Sequence, residues 1–153
     1  MSTRAKYLLL ALLGVGALLA GLFWLVDSAF DGLCAAELVR TVPSPDTRLD
    51  AVLYELDCGA TTGFATEVAL VPHGAGVPRE SGNVLIADDG HGTAPLLKGN
   101  VVDVRLKWVG PTNLELSVDP RSRLLFRTAR AHGVTVHWRY IPPDSLVAAP
   151  TPR

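Results

Sequence analysis

The sequence predicts an all-β fold, a single antiparallel β-sandwich or partly open barrel of six or seven strands, preceded by one transmembrane α-helix. Three observations carry this. An uncharged apolar run extends from Tyr7 to Val26. Apolar and polar residues then alternate with period two in Val101 to Val109, in Asn113 to Val118 and in Val134 to Tyr140. Such alternation marks half-buried strands, because successive strand side chains point to opposite faces. Finally, residues rich in Gly, Pro, Asp and Thr separate these runs at short intervals.

The apolar run comes first. As a helix rising about 1.5 Å per residue, 7–26 covers roughly the 30 Å hydrocarbon layer of a bilayer. Tyr7 stands at one end, and Phe23 and Trp24 near the other, where rings favour the headgroup level. The rival reading is a cleaved secretory signal, whose apolar core is shorter and ends in a small-x-small site. Leu18, Leu19, Ala20 matches that site poorly, and Phe23 to Val26 continue the run beyond it. Arg4 and Lys6 flank the N-terminal side, whereas the first basic residue beyond the run is Arg40. By the positive-inside rule, residues 1–6 are expected in the cytoplasm and everything after Val26 outside it, periplasmic or extracellular.

Setting Arg4 and Lys6 aside from the fourteen basic residues leaves twelve against fifteen acidic ones, a formal charge of −3 outside. That balance argues against a nucleic-acid partner. The one basic cluster is Arg121, Arg123, Arg127, Arg130 and Arg139, which either contacts anionic headgroups or forms a solvated face with its stems over apolar surface. Both cysteines, Cys34 and Cys58, fall on the oxidising side, so a Cys34–Cys58 disulfide is expected. Closing a loop of about 25 residues, it would add roughly 3 kcal/mol in the chain-entropy account.

Along the external part, 27–47 reads as a linker in which Pro43 and Pro45 hold the backbone extended before a turn at Ser44 to Thr47. Leu49 to Leu56 is a near-continuous apolar strand, expected to be buried on both faces. Phe64 to Val71 and Asn83 to Ala87 are further strands. Gly110, Pro111, Thr112 joins two alternating runs into a hairpin. Leu124 to Phe126 is either a short strand or a helical turn, and 134–140 is the last strand. The β-domain is thus expected over 48–142, one domain by its length, with a disordered tail over 143–153 that is rich in Pro and Ala.

The segment Asp57, Cys58, Gly59, Ala60, Thr61, Thr62, Gly63, Phe64 stands out by its small and polar residues between two strands. Asp57, Thr61, Thr62 and Phe64 are the candidate binding-loop residues. The competing readings are a disulfide-pinned connection whose hydroxyls cap their own backbone, and a Cys58 nucleophile. His73, His91, His132 and His137 are scattered without metal-site spacing, and Asp88, Asp89, Gly90, His91, Gly92 lacks the ligand order of a calcium loop. No catalytic residue, metal ligand or cofactor is assigned.

Together Cys34, Ser44-Pro45-Asp46, the Asp57 to Phe64 motif, Gly82-Asn83-Val84 and Trp108 with its hairpin resemble a family of small bacterial exported, membrane-anchored proteins. The resemblance spans most of the external domain and implies compartment and fold without an activity. It departs at Thr47, where a glycine usually follows Ser-Pro-Asp. The function expected is therefore a membrane-tethered extracytoplasmic binding or interaction module, held in the plasma (inner) membrane through 7–26. It would take an envelope protein or a small ligand. The alternative is a Cys58-dependent enzyme or thiol redox protein.

Overall fold

The computed structural model describes residues 13–25, 34–59, 63–97 and 99–147. They fall into two units, divided between Leu33 and Cys34. In the first, α1 covers 13–25, and every one of its residues is exposed. Thirteen residues rise about 20 Å, short of a hydrocarbon layer of roughly 30 Å. Among the described residues no helix is long and apolar enough to cross a membrane. Residues 7–12 and 26 of the expected span lie outside the described set.

Among its described residues the second unit holds nine strands: β1 Ala35–Pro43, β2 Leu49–Asp57, β3 Phe64–Pro72, β4 Leu85–Asp88, β5 Val104–Gly110, β6 Asn113–Val118, β7 Arg123–Arg127, β8 Arg130–Ala131 and β9 Val134–Tyr140. They form a five-stranded sheet in the order β1, β2, β3, β4, β7 and a four-stranded sheet in the order β5, β6, β9, β8. The β5–β6 hairpin stands where alternation predicts it, with a register irregularity between Trp108 and Gly110. One core draws on both sheets: Ala51, Leu53, Val68, Leu70, Leu85 and Ala87 from the first, and Leu106, Leu114, Leu116, Val118, Val134 and Val136 from the second.

Four expectations need correction. Part of the expected linker 27–47 is strand: β1 pairs antiparallel with β2 from Ala35↔Asp57 to Pro43↔Asp50. Its pattern was hidden because β1 is a mostly exposed edge strand, so no buried face imposes apolar alternation. The described residues hold nine strands, with the ambiguous 124–126 segment resolved as part of β7. The pairing is not antiparallel throughout, because β9 runs parallel to β6. Between β6 and β9 the chain crosses to the other sheet for β7 and comes back through the β8–β9 hairpin, the kind of crossover that parallel neighbours require. Lastly, the tail is structured at its start: Pro143–Ser145 is a 3₁₀ turn. Arg105 donates to the Ser145 carbonyl at 2.7 Å and Arg121 to that of Val147 at 3.0 Å. Residues 148–153 lie outside the described set.

β2 is buried along nearly its whole length, as its apolar run predicts. Its two faces are covered differently. Ala51 and Leu53 enter the shared core, whereas Val52, Tyr54 and Leu56 form a second cluster with Ala69 on the outer face of the five-stranded sheet. Val77, from the segment 73–83 that joins β3 to β4, packs on that cluster, as do Cys34, Ala36, Cys58 and Val71.

Candidate functional site

The cysteines are bonded, Cys34 to Cys58, and neither is free. The bond ties the residue before β1 to the residue after β2, where Ala35 and Asp57 already pair. The Cys58 sulfur is thereby occupied, which removes the thiolate a nucleophile needs.

Of the candidate loop residues, Asp57 and Phe64 are cross-strand partners at the ends of β2 and β3. The Asp57 carboxylate accepts from the Gly59 amide at 2.9 Å, an Asx-type turn. The Phe64 side chain is half exposed. Thr61 and Thr62 lie outside the described residues. By strand alternation Asp57 shares its face with Glu55 and Leu53, and Phe64 shares its face with Thr66 and Val68. This is the face that builds the shared core, so Asp57 and Phe64 sit at one end of it.

At that end residues 99–102 close down on β2 and β3. The Thr66 hydroxyl accepts from the Val102 amide at 2.9 Å, and Glu55 accepts from the Asn100 side chain at 3.3 Å. Gly99 and Asn100 both take positive φ to make this turn. Glu55 is only 6% exposed, and its second carboxylate oxygen is buried without a hydrogen-bond partner. A buried carboxylate left half satisfied is costly.

Beside it runs a groove of about 470 Å³ between the β1 edge and the segment 97–105. Leu53, Leu97, Val101, Val102 and Val104 make an apolar floor, with Val39 at the β1 bulge. Three charges rim it. Arg105 pairs with Asp103 at 2.9 Å, whereas Arg40 makes no ion pair or side-chain hydrogen bond among the described residues. The Asp103 carboxylate, by hydrogen bonding, holds the Arg105 pKa above its ordinary value, so that guanidinium stays charged. The volume suits a small ligand, and an apolar lining with a few convergent polar groups is the usual make-up of such sites.

The outer face of β2 is polar in a different way. Tyr54 donates to the Glu80 carbonyl at 2.7 Å and lies 3.2 Å from the Glu67 carboxyl, which also accepts from the Gly82 amide. Burial pushes the Glu67 carboxyl up, against the opposing hydrogen bonds from Gly82 and Tyr54. Burial likewise pushes the Tyr54 hydroxyl up. Tyr54 has one hydroxyl proton and two acceptors for it, the Glu80 carbonyl and the Glu67 carboxyl.

Asp50 and His73 sit at the other end of the same segment, Nδ1 to Oδ1 at 2.8 Å. Burial works to raise the Asp50 pKa, but the Gly74 amide at 2.9 Å and the His73 ring outweigh it and hold it low. An aspartate orienting a histidine is two-thirds of a hydrolase triad. The third member is missing among the described residues: Ser44, buried beside the paired ends of β1 and β2, gives its hydroxyl proton to Asp46 at 2.8 Å. The pair instead fastens the turn after β3.

Three of the five clustered arginines are ion-paired: Arg121 with Asp119 at 2.6 Å, Arg139 with Glu115 at 3.2 Å, and Arg123 with Asp88. Among the described residues no three His, Cys, Asp or Glu side chains converge as a metal site. Arg40, Leu97, Asp103 and Arg105 escaped sequence reasoning, because the groove depends on β1 being a strand. Glu67 did leave a signal, as the single carboxylate inside an otherwise largely apolar strand.

No protein-family model matches this chain, and no curated protein or solved structure is significantly similar to it.

Proposed function

We propose that this protein is an extracytoplasmic binding module whose ligand occupies the groove between β1 and the segment 97–105. The observation that carries the reading is the groove itself: an apolar floor of about 470 Å³ with the unpaired Arg40 on its rim. An apolar ligand bearing an anionic group satisfies both. The disulfide supports an oxidising compartment, and the apolar run 7–26 supports a tether in the plasma (inner) membrane with the β-domain outside. A β-sandwich is the architecture we favour over a barrel, because the two sheets share a core while their strand orders stay separate. A binding role also fits the occupied Cys58 sulfur better than thiol catalysis does.

A diazirine-bearing octanoate tests this reading. Photolysed on the full chain and mapped by mass spectrometry, it should label the Val39, Leu97 and Val104 region, and Arg40→Glu should reduce that labelling. Labelling scattered over other surfaces, or unchanged by Arg40→Glu, rules the groove out. External protease on intact spheroplasts checks the address: digestion of the β-domain supports it, and protection until lysis refutes it.

A further inference from the structure

The groove lies along an open sheet edge, and that edge carries information about its ligand. β1 pairs only with β2, and among the described residues no backbone hydrogen bond from elsewhere reaches its other side. The Val42 carbonyl accepts from the Trp108 indole at 2.9 Å. Pro43 has no N–H, so its pairing with Asp50 is of the kind flanked by hydrogen bonds, one of them from the Ser44 amide to the Leu49 carbonyl at 2.8 Å. In an antiparallel ladder the N–H and C=O of one residue point the same way, and the direction repeats every second residue. Arg40, Thr41 and Val42 pair in unbroken register with Leu53, Val52 and Ala51, so Val42 and Arg40 turn theirs toward β2 and Thr41 turns its own off the free edge. The Arg40 side chain meanwhile lines the groove. A backbone donor and acceptor at Thr41 thus lie next to an apolar hollow and the unpaired guanidinium of Arg40 on an edge strand.

Resting on the groove being the binding site, we infer that its ligand is an extended peptide segment that adds as a strand to the free edge of β1. It places one apolar side chain over Leu53 and Val102 and a carboxylate, terminal or acidic, against Arg40. Strand addition draws affinity from main-chain hydrogen bonds and specificity from a hollow for alternate side chains. Arg40 supplies the charge complementarity, and it is otherwise unused. The bulge between Leu38 and Arg40, with Pro43 at the end of β1, twists and shortens the usable edge, which disfavours indiscriminate sheet-to-sheet addition and leaves a short peptide as the fitting occupant.

The test uses the full chain and a fluorescent hexapeptide of alternating Thr and Val with a free C-terminal carboxylate, followed by anisotropy. We expect its C-terminal amide to bind about tenfold more weakly, and Arg40→Ala to abolish that difference. N-methylation of alternate amides in one register should remove binding, and in the other register should leave it. Arg40 is exposed and unpaired, so Arg40→Ala is expected to fold, and the N-methyl series reports independently of any variant. Equal binding of both N-methyl registers, or of acid and amide, overturns the inference. So does concentration-dependent dimerisation that the peptide does not compete, which makes a second copy the occupant. Octanoate labelling of the groove without peptide binding sinks the peptide and leaves the groove reading intact, whereas loss of both sinks the two together.

Discussion

The two faces of β2 are finished differently. On the outer face, Val52, Tyr54 and Leu56 lie under the segment 73–83, and the buried Asp50, Tyr54 and Glu67 side chains hydrogen-bond to that segment or to one another. On the core face, Ala51 and Leu53 are sealed, but Glu55 keeps an oxygen without a hydrogen bond, and a groove opens beside it. Both faces are mainly apolar, so apolar content does not distinguish a closed surface from an open one. Satisfaction of the buried polar groups does. The outer face is built for stability, and the groove end gives up some of that satisfaction.

The largest break in this contrast comes from the disulfide, whose sulfurs pack on the outer cluster. Cys34→Ser and Cys58→Ser should each lower unfolding free energy by about 3 kcal/mol, equally and non-additively in the double variant. Chemical denaturation measures this. A loss from Cys58→Ser alone would restore an independent role for that sulfur.

Next is Gly82, where 73–83 presses closest to the sheet. A Cβ there would stand 2.6 Å from the Val68 carbonyl oxygen and 2.8 Å from that of Leu85, both backbone atoms that cannot swing away. Gly82→Ala should cost about 2 kcal/mol and loosen the Tyr54 and Glu67 contacts, seen as faster amide exchange over 77–82. It should leave ligand labelling in the groove intact. Equal loss of both would show that the two faces are one cooperative unit.

pH separates the two ends of that segment. Asp50 is depressed by its partners, so its contribution is present above the ordinary aspartate value and lost as pH falls through the lowered one. Glu67 is raised by burial, so its contribution is complete below the ordinary glutamate value and lost as pH rises through the raised one. The segment is held at both ends only between those limits. In thermal melts against pH, Asp50→Asn should flatten the acid limb, and Glu67→Gln the limb above the ordinary glutamate range. An unchanged upper limb in Glu67→Gln would show that Glu67 is ionised in the fold.

Much of this arrangement was legible in the sequence, for reasons that also explain the gaps. β2, β5, β6 and β9 were visible because each buries at least one face, and burial writes the period into the residues. The cysteine pairing followed from compartment and count. β1 left little pattern, since an exposed edge strand needs none, and the groove it borders vanished with it. The parallel β6–β9 pair was equally hidden: its residues alternate as antiparallel ones do, and only the path of the chain through β7 fixes its direction. Asp57 and Phe64 pair across β2 and β3, yet the charged rim of the groove belongs to residues far apart in sequence.

The smallest expected effect comes from Thr47, in the turn that leads into β2. Ser44 and Asp46 organise the turn between β1 and β2, the Ser44 hydroxyl accepting from the Leu49 amide at 3.1 Å. Thr47 closes this turn with its amide on the Ser44 carbonyl at 2.9 Å and with φ at +52°. A β-branched residue is strained there, and glycine is not. The Thr47 side chain is exposed and reaches only the neighbouring Asp46 carbonyl, so little is lost by removing it. Relief of strain outweighs the added freedom of the unfolded chain, and Thr47→Gly should raise stability by about 0.5–1 kcal/mol in denaturant melts. Because the turn leads into Leu49 and β2, the gain should appear equally on both faces. A gain confined to the groove end would mean that the turn tunes the site instead of the whole sheet.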